Sequence, residues 1–218
     1  MNKTITVKGV GSVSVTPDYA VISMTLESLD KNYGKAMEMA SENIAELTEA
    51  LLNAGFEKED IKTTDFNVHA DYDSVKQKDD SYRQIFRGYL IKHHLKIGFD
   101  FSSERLGDAL SAIGDCLANP RLSVEFTVKD PSAVKEAVLR AAAANARRKA
   151  EILCEGSGVK LGDLITIDYN WNEIRLRSQT DILEDYMEAP SFLKKSQISI
   201  QPDDIDASDT ATFVWEIA

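Results

Sequence analysis

The sequence predicts an α+β fold in which an antiparallel or mixed sheet carries three main helices packed on it. Two kinds of periodicity predict this fold, since segments that alternate apolar and polar residues are separated by segments with apolar residues every three or four positions. The predicted order is ββαββαβαβββ, and strand pairs interleaved with helices favour helices on one face of a sheet. A ββα unit occurs twice in this order, which is consistent with an internal duplication.

The first two segments predict a hairpin. The first alternates and is interrupted by Gly9-Val10-Gly11, which predicts a β-bulge or a sharp bend. Pro17-Asp18 predicts a turn, after which a second strand follows. The apolar residues of the two strands are Ile5, Val7, Val13 and Val15, then Ala20, Ile22, Met24 and Leu26.

The next segment predicts an amphipathic helix. Its apolar residues recur at steps of three and four, which is one stripe of a helix. Asp30 or Asn32 can cap its beginning, and Gly55 suits the left-handed position after its last turn. The stripe consists of Ala36, Ala40, Ile44, Leu47, Leu51 and Ala54.

A second hairpin is predicted from two further alternating segments, joined by a polar loop over residues 76–83. The first of them places Phe66, Val68, Ala70 and Tyr72 on one face. The second is longer and places Arg87, Tyr89, Ile91, His93, Leu95, Ile97, Phe99 and Phe101 on one face.

Two more helices flank a fifth strand. Ser102 or Ser103 caps a helix that ends before Asn119-Pro120, and Asp130-Pro131 predicts a cap followed by proline in the first turn. The third helix ends at Gly156-Ser157-Gly158, and its run of alanines allows close approach to a sheet. The apolar residues of the second helix and the fifth strand are Leu106, Ala109, Leu110, Ile113 and Leu117, then Leu122, Val124, Phe126 and Val128.

The last part of the chain predicts three strands and one long excursion. Residues 173–197 lose periodicity and gain charge, with one helical turn expected near Ile182 to Tyr186. Their many apolar side chains need burial, either on the same domain or on a neighbouring subunit, and both alternatives remain open. The sixth strand holds Leu164, Ile165, Ile167, Tyr169 and Trp171, a short strand spans Ile198 to Ile200, and the last holds Ala211, Phe213, Trp215 and Ile217.

The bulk composition is that of an ordinary globular protein, and we predict a single domain over residues 1–218. Twenty-five basic and thirty-six acidic residues give a net charge of −11, which argues against nucleic acid as a partner. No stretch approaches the roughly 20 apolar residues of a transmembrane helix. The N-terminus shows no signal peptide, so the sequence as it stands predicts a cytoplasmic protein, or alternatively an exported one whose signal was removed.

The histidines are the first candidates for chemistry. His93 and His94 are adjacent on a predicted strand and point to opposite faces, so they cannot share a metal ion. We expect His93 to be a hydrogen-bonded core residue on the apolar face, and His94 to be exposed among lysines. His69 and Asp71, two residues apart on one face, are the least unfavourable pair for a general base and its orienting acid.

The glycines, aspartates and cysteines predict no site. Gly9-Val10-Gly11 lacks the third glycine and the helix of a dinucleotide loop. The acidic cluster near the C-terminus lacks the spacing of a calcium loop and predicts a solvated turn. Cys116 and Cys154 match no metal or redox motif and are expected to be buried free thiols. The acidic cluster consists of Asp203, Asp204, Asp206 and Asp209.

Several of these landmarks together resemble the SIMPL-domain family. The segment Val7-Lys8-Gly9-Val10-Gly11, followed by Pro17-Asp18-Tyr19-Ala20, resembles the opening V-x-G-x-G and P-D-x-A signature of the family. The resemblance covers residues 4–218. Further matches are Leu51 to Phe56, Asp60 to Thr63, Gly88-Tyr89, the alanine-rich helix through Ala142, Ala146, Lys149 and Ala150, and the turn at Gly158 and Leu161-Gly162-Asp163.

The chain departs from the family pattern in two ways. Family members usually carry an export signal, and a proline-glycine turn is usual where this chain has Pro202-Asp203-Asp204. The resemblance implies a link to the bacterial cell envelope and stress tolerance, and ring-forming homo-oligomers. It supplies no catalytic residues.

The function predicted from these observations is that of a non-enzymatic, homo-oligomeric scaffold or interaction protein, with itself as partner and room for an unknown protein partner. No catalytic, cofactor-binding or metal-binding residue is assigned, and no cofactor is expected. The alternative is a small-molecule or metal-binding protein that uses a groove between the sheet and the alanine-rich helix, or between subunits.

Overall fold

The fold was analysed in a computed structural model that describes residues 3–77, 80–170, 174–183 and 200–218. The α+β class and the three helices are confirmed. The elements are β1 (Thr4–Val15), β2 (Tyr19–Asp30), α1 (Tyr33–Asn53), β3 (Lys62–Lys76), β4 (Tyr82–Asp100), α2 (Ser103–Gly114), β5 (Arg121–Thr127), α3 (Pro131–Gly156), β6 (Leu161–Asp168), β7 (Arg177–Leu183) and β8 (Ile205–Ile217).

The described strands form two sheets where the sequence predicted one, and the chain divides into two compact units. Unit 1 comprises Met1–Asp18, Thr127–Gln179 and Pro202–Ala218, and unit 2 comprises Tyr19–Phe126 and Thr180–Gln201. The prediction of a single domain stays a prediction.

Unit 1 is built on a three-stranded sheet in the order β1-β8-β6, with α3 packed on one face. β1 and β8 are antiparallel over their whole length, from Thr4 opposite Glu216 to Val15 opposite Ile205. The alternation of β8 turns every second residue towards the helix, where buried residues form two clusters. Their members are Val7, Ala146, Ala150, Ala211, Phe213 and Trp215, and Val128, Val134, Val138, Leu176, Ile205 and Ala207.

The glycines of β1 provide space for α3 rather than a bulge. The predicted bulge is wrong, because the register with β8 continues through Gly9 and Gly11 without a shift. A Cβ atom at Gly9 would collide with the carbonyl oxygen of Ala142, and one at Gly11 with that of Val138. The glycines therefore let the helix backbone approach the strand closely, which side chains at these positions would prevent.

Unit 2 is built on a five-stranded sheet in the order β3-β4-β2-β5-β7, with α1 and α2 packed against it. β2 and β4 are antiparallel, as are β3 and β4. The main core is formed by apolar side chains of β2, β4, β5 and both helices. Its largest fully buried members include Phe126, Ile22, Met24, Leu26, Leu47, Leu51, Ile97, Leu106 and Ile113.

The local signals for the helices are confirmed. Asn32 caps α1 by accepting a hydrogen bond from the backbone of Lys35, and Ser102 caps α2 in the same way. Asp130 caps α3 ahead of Pro131. Gly55 has a φ of 85°, the left-handed value expected after the last turn of α1.

The pairing of the first strands differs from the prediction. β1 and β2 do not form a hairpin, since β1 pairs with β8 in one sheet and β2 lies between β4 and β5 in the other. The predicted hairpin of β3 and β4 is confirmed. The two ββα units are therefore built differently, and an internal duplication finds no support in their pairing.

The excursion after β6 contains a strand that the sequence did not indicate. Residues 177–183 form β7, so Ile182 lies in a strand and not in the predicted helical turn. Leu176 is buried among the unit 1 residues, and Ile182 packs against the core of unit 2, so these residues pack on their own chain. Ile200 lies outside the strands, and residues 171–173 and 184–199 lie outside the described part of the chain.

Candidate functional site

The adjacent histidines on β4 each hydrogen-bond to a threonine on a neighbouring strand. Nε2 of His93 lies 2.9 Å from Oγ1 of Thr63, and Nδ1 of His94 lies 2.9 Å from Oγ1 of Thr25. His93 also contacts the ring of Phe66 edge to face. Burial, and then the neighbouring His94, lower the pKa of His93 below its ordinary value. His93 is therefore hydrogen-bonded on the predicted face, but it is half-buried and does not belong to the core, so the expectation of a core histidine is wrong.

His94 is less isolated than expected. It is partly buried, and its Nε2 lies 4.0 Å from a carboxylate oxygen of Asp65. Lys92, which we expected to make this face basic, is paired with Glu27 at 3.0 Å. The carboxylates of Glu27 and Asp65 thus lie among the basic residues that we expected on this face of the sheet.

His69 and Asp71 do not form an acid–base pair. Nδ1 of His69 lies 3.3 Å from the amide oxygen of Asn67. The carboxylate of Asp71 is paired with Arg87 at 3.1 Å. Both residues lie on β3, an edge strand with mostly exposed side chains. A general base needs its orienting acid within hydrogen-bonding reach, so the geometry removes the motivation for an enzyme at this pair.

We predicted that the C-terminal aspartates form one solvated turn, but two of them lie in a strand. Asp206 and Asp209 lie on β8, where Asp206 accepts a hydrogen bond from Ser14. Asp209 is only 5% exposed and accepts a 2.8 Å hydrogen bond from the hydroxyl of Tyr169. This hydrogen bond, followed by burial and the charge of Asp209, raises the pKa of Tyr169. The solvated-turn prediction is wrong for Asp209 because β8 turns this residue towards α3.

The remaining candidate ligands are also separate. Cys116 and Cys154 are free thiols, and Cys154 is buried while Cys116 is half-buried. Within the described ranges, no group of three or more histidine, cysteine, aspartate or glutamate residues is placed to hold a metal ion. The helices in those ranges are too short or too polar to cross a membrane.

The outer edge of β1 is covered by polar side chains of α3. The backbone N–H of Val10 donates to the amide oxygen of Asn145 at 3.0 Å, and Nζ of Lys149 donates to the carbonyl oxygen of Lys8 at 3.2 Å. Both backbone groups point away from β8, where another strand would otherwise pair. The helix therefore blocks strand addition at the middle of this edge, and we call the β1 edge closed in this sense.

The opposite edge of the same sheet, β6, is open and apolar. Leu164, Ile165 and Ile167 are 47%, 50% and 53% exposed. Among the described residues, no strand pairs with the outer side of β6. An exposed apolar edge strand is a typical site for association with another chain. We call Lys160 to Asp168 the β6 edge.

A second exposed apolar surface lies at the far end of β3 and β4. β2 pairs with β4 only as far as Asp30 opposite Tyr89, whereas β3 and β4 remain paired as far as Lys76 opposite Tyr82. Residues 71–76 and 82–88 thus form a two-stranded ribbon, which we call the arm. Its exposed apolar residues are Tyr72, Val75, Tyr82, Ile85 and Phe86.

The sequence contained a signal for both surfaces. A half-buried strand alternates, whereas Leu164 and Ile165 are consecutive apolar residues. The arm carries apolar residues at Phe86 and Ile85, which point to opposite faces. Apolar residues on both faces indicate either a fully buried strand or an exposed apolar one, and only the structure distinguishes the two.

Known proteins resemble this chain over most of its length. Residues 5–215 match the model of the SIMPL family, described as a protein of unknown function (DUF541). The 26 kDa periplasmic immunogenic protein of Brucella melitensis is 26% identical over 163 residues, which cover 75% of this chain and 65% of that protein. The matched part thus spans just under two thirds of that relative.

Two further relatives are uncharacterised proteins named YggE. The one from Escherichia coli K12 is 26% identical over 76% of this chain and 65% of its own length. The one from Edwardsiella ictaluri is 24% identical over 86% of this chain and 75% of its own length. Among solved structures, the regulatory subunit of aspartate kinase from Thermus flavus is 11% identical over 97% of this chain and 89% of that chain. Its TM-score of 0.18 carries no argument about the fold.

Proposed function

Since the chain belongs to the SIMPL family, whose function is unknown, we propose that it acts as a non-enzymatic, homo-oligomeric scaffold or interaction protein. The observation that supports this proposal is the arm. A two-stranded ribbon is marginally stable in water by itself, and this one exposes apolar side chains on both faces. Burial against a second copy would remove that surface from water.

The geometry of the arm suits docking on another chain. The seven residues of β4 from Tyr82 to Gly88 extend about 20 Å at the rise of a strand. The rings of Tyr72 and Phe86 contact each other edge to face, with their centroids 5.5 Å apart. On the other face, Arg87 pairs with Asp71 and Asp73. One face is therefore aromatic and the other is braced by ion pairs.

The charge of the arm is compatible with a second copy as its partner. Residues 71–88, which comprise the arm and the loop between its strands, contain four basic and four acidic residues, whereas the whole chain has a net charge of −11. An acidic copy of the same chain is therefore repelled less by the arm than by the more acidic remainder of the chain. The charged residues concerned are Asp71, Asp73, Lys76, Lys78, Asp79, Asp80, Arg83 and Arg87.

The envelope is the compartment that the relatives support. The Brucella relative is named as periplasmic, which favours the exported alternative over the cytoplasmic expectation. We therefore propose an exported protein linked to envelope or stress tolerance. Fractionation of cells that express the native gene tests this, and recovery of the protein only in the cytoplasm would contradict it.

A ligand groove beneath the alanine-rich helix receives no support from the packing. α3 lies so close to β1 that a methyl group at Gly9 or Gly11 would collide with the helix backbone. A small molecule therefore has no space at this part of the contact. The homo-oligomer is accordingly the function that we favour.

Light scattering at several protein concentrations tests the proposal. We expect an oligomer for the unaltered chain, and a shift towards monomer for the double variant Tyr82→Ser/Ile85→Ser in the arm. The control is Leu117→Ser, which removes an apolar side chain after α2 that is even more exposed than Tyr82 and Ile85. A stable monomer of the unaltered chain at high micromolar concentration would overturn the proposal.

A further inference from the structure

Two irregularities in the pairing of β6 gather apolar residues on one face. Between Leu161 and Thr166 the register with β8 shifts twice, so that β6 contains two extra residues. As a result Leu161, Leu164 and Ile167 lie opposite Ile217, Trp215 and Phe213 of β8, which alternate on the side that faces α3. Bulges of this kind redirect side chains.

This row of apolar residues extends beyond the part of the sheet that α3 covers. Leu161 packs against the buried cluster of Phe213 and Trp215 and is half-buried. Leu164 and Ile167 are on the same side of the sheet and remain about half exposed. Within the described part of the chain, about half of each of these two side chains is therefore accessible to another molecule.

Five residues at the centre and the two ends of the β6 edge are complementary to those of an antiparallel copy, whereas Asp163 would lie opposite Ile165. The apolar residues are spaced by three positions and are symmetric about Leu164, so an antiparallel copy would bring Leu161 to Ile167 and Leu164 to its own equivalent. Lys160 and Asp168 lie at the two ends, at equal distances from the centre. In the same arrangement Lys160 would meet Asp168 of the second copy at both ends.

The side-chain directions agree with this arrangement. Lys160 is hydrogen-bonded through its backbone to Ala218, and Asp168 lies opposite Thr212, so both belong to the face of the sheet that points away from α3. When two sheets meet edge to edge about a twofold axis, residues of the same face meet each other. Opposite charges thus meet on one face while apolar residues meet on the other.

We propose that β6 is a self-association surface, on which β6 of a second copy docks antiparallel about Leu164. This inference rests on the proposed function, because it names one contact of the homo-oligomer. The apolar contacts supply the association, since exposed ion pairs contribute little. The charges set the direction and register, because a parallel or shifted copy would place like charges or unpaired charges together.

Crosslinking gives the most direct test. Opposed residues of antiparallel strands have Cα atoms about 5 Å apart, which lies within the reach of a disulfide. In a Cys116→Ser background, Leu164→Cys should give a covalent dimer under mild oxidation at low protein concentration. Ile152→Cys, on α3 and 58% exposed, is the matched control and should remain monomeric on a denaturing gel. Equal crosslinking of both variants would overturn the inference.

Charge reversal tests the register without an apolar change. Lys160→Asp and Asp168→Lys should each weaken association by about tenfold, because each converts two attractive contacts into repulsive ones. The double variant should restore association, since the charges again alternate across the axis. Sedimentation velocity measures the dissociation constants, and circular dichroism checks that each variant is folded. Additive weakening in the double variant would overturn the proposed register.

The outcomes separate this inference from the function that it rests on. If the unaltered chain is monomeric, both fail. If it is oligomeric and neither the β6 crosslink nor the charge reversals have the expected effect, the β6 surface is wrong and the oligomer stands. If only the arm variants change the oligomeric state, the arm is the contact and β6 is not.

Discussion

The two edges of the unit 1 sheet differ in whether other parts of the described chain cover them. At β1, the side chains of Asn145 and Lys149 form hydrogen bonds with backbone groups that would otherwise be free to pair with another strand. At β6, three large aliphatic side chains lie about half exposed, and no strand in the described ranges covers the edge. One sheet thus has a closed edge and an open edge, and the difference indicates where a second chain can add.

The closed edge depends on how near α3 lies to the strand. Gly9 and Gly11 let the helix backbone rest on β1, and this contact brings Asn145 and Lys149 within reach of the outer backbone groups. At β6 the helix makes far fewer contacts, and only Leu161 and Tyr169 pack against the cluster beneath it. Distance from one helix therefore explains most of the contrast.

The largest expected effect comes from separating α3 from β1. Gly11→Ala places a Cβ atom against the carbonyl oxygen of Val138, so the helix must move. We expect a loss of about 2–3 kcal/mol in the free energy of unfolding, as for other overpacked sites. Urea denaturation measures it. Gly107→Ala is the matched control, because Gly107 lies within α2 with open space around its Cα, and alanine there should stabilise by up to about 1 kcal/mol. Equal stability of the two variants would contradict the close contact.

The hydrogen bond between Tyr169 and Asp209 fastens the segment after β6 to β8. Tyr169→Phe removes the donor and leaves a carboxylate that is 5% exposed with one partner fewer, so the melting temperature should fall. The control is Tyr33→Phe, on the exposed surface of α1, which should leave the melting temperature unchanged.

The same pair predicts how stability depends on pH at the alkaline end. The pKa of Tyr169 is raised in the folded protein, so above about pH 10 the unfolded chain releases this proton while the folded chain retains it. The stabilisation is complete below the unfolded pKa and is lost as the pH rises through the folded pKa. Tyr169→Phe should therefore lose less stability than the unaltered chain as the pH rises from about 10 through the folded pKa of Tyr169. The free energy of unfolding is measured at each pH for both proteins. An equal loss of this free energy with rising pH in the two proteins would contradict the prediction.

Removing a side chain of α3 that hydrogen-bonds to the β1 edge should allow this edge to pair with another strand, as we propose for β6. Asn145→Ala leaves the N–H of Val10 without its protein acceptor, and we expect a loss of about 1 kcal/mol in the free energy of unfolding. The variant should also associate more strongly than the unaltered chain in light scattering, because another strand can now pair with β1. Unchanged association would show that other features keep this edge closed.

The smallest effect on stability is expected at the open edge. Ile167→Lys replaces a half-exposed side chain, so the free energy of unfolding of the isolated chain should change by no more than about 0.5 kcal/mol. Its association should nevertheless weaken, if β6 is the contact that we propose. A large loss of stability at low protein concentration would instead show that Ile167 belongs to the core.

Several elements could be predicted from local sequence because their causes are local. The stripe and caps of α1, the Asp130-Pro131 beginning of α3 and the long hairpin of β3 and β4 all depend on residues within about one element. The absence of an assigned catalytic or metal residue was a prediction of the same kind, and it stays a prediction. For the candidate surface, the sequence indicated a strand at Leu164 to Ile167 without indicating that it is exposed.

The pairing of β1 is the clearest case that local sequence did not decide. A turn at Pro17-Asp18 favoured a hairpin with β2, yet β1 pairs with β8. Pairing partners far apart in the chain are selected by packing over the whole sheet, and no local pattern reports that competition. The role of Gly9 and Gly11 could not be predicted for the same reason. A side chain at either position would collide with α3, and this matters only because α3 packs against β1 in the folded protein.

The sequence by itself determined the α+β class, the three helices with their caps, the alternation of β8 and the family to which the chain belongs. These follow from periodicity and from short-range hydrogen bonds. The tertiary structure alone decided the two sheets, the burial of Asp209 and the difference between the β1 and β6 edges. The exposure of a residue depends on which other residues pack against it. For β6 this depends on where α3 packs on the sheet.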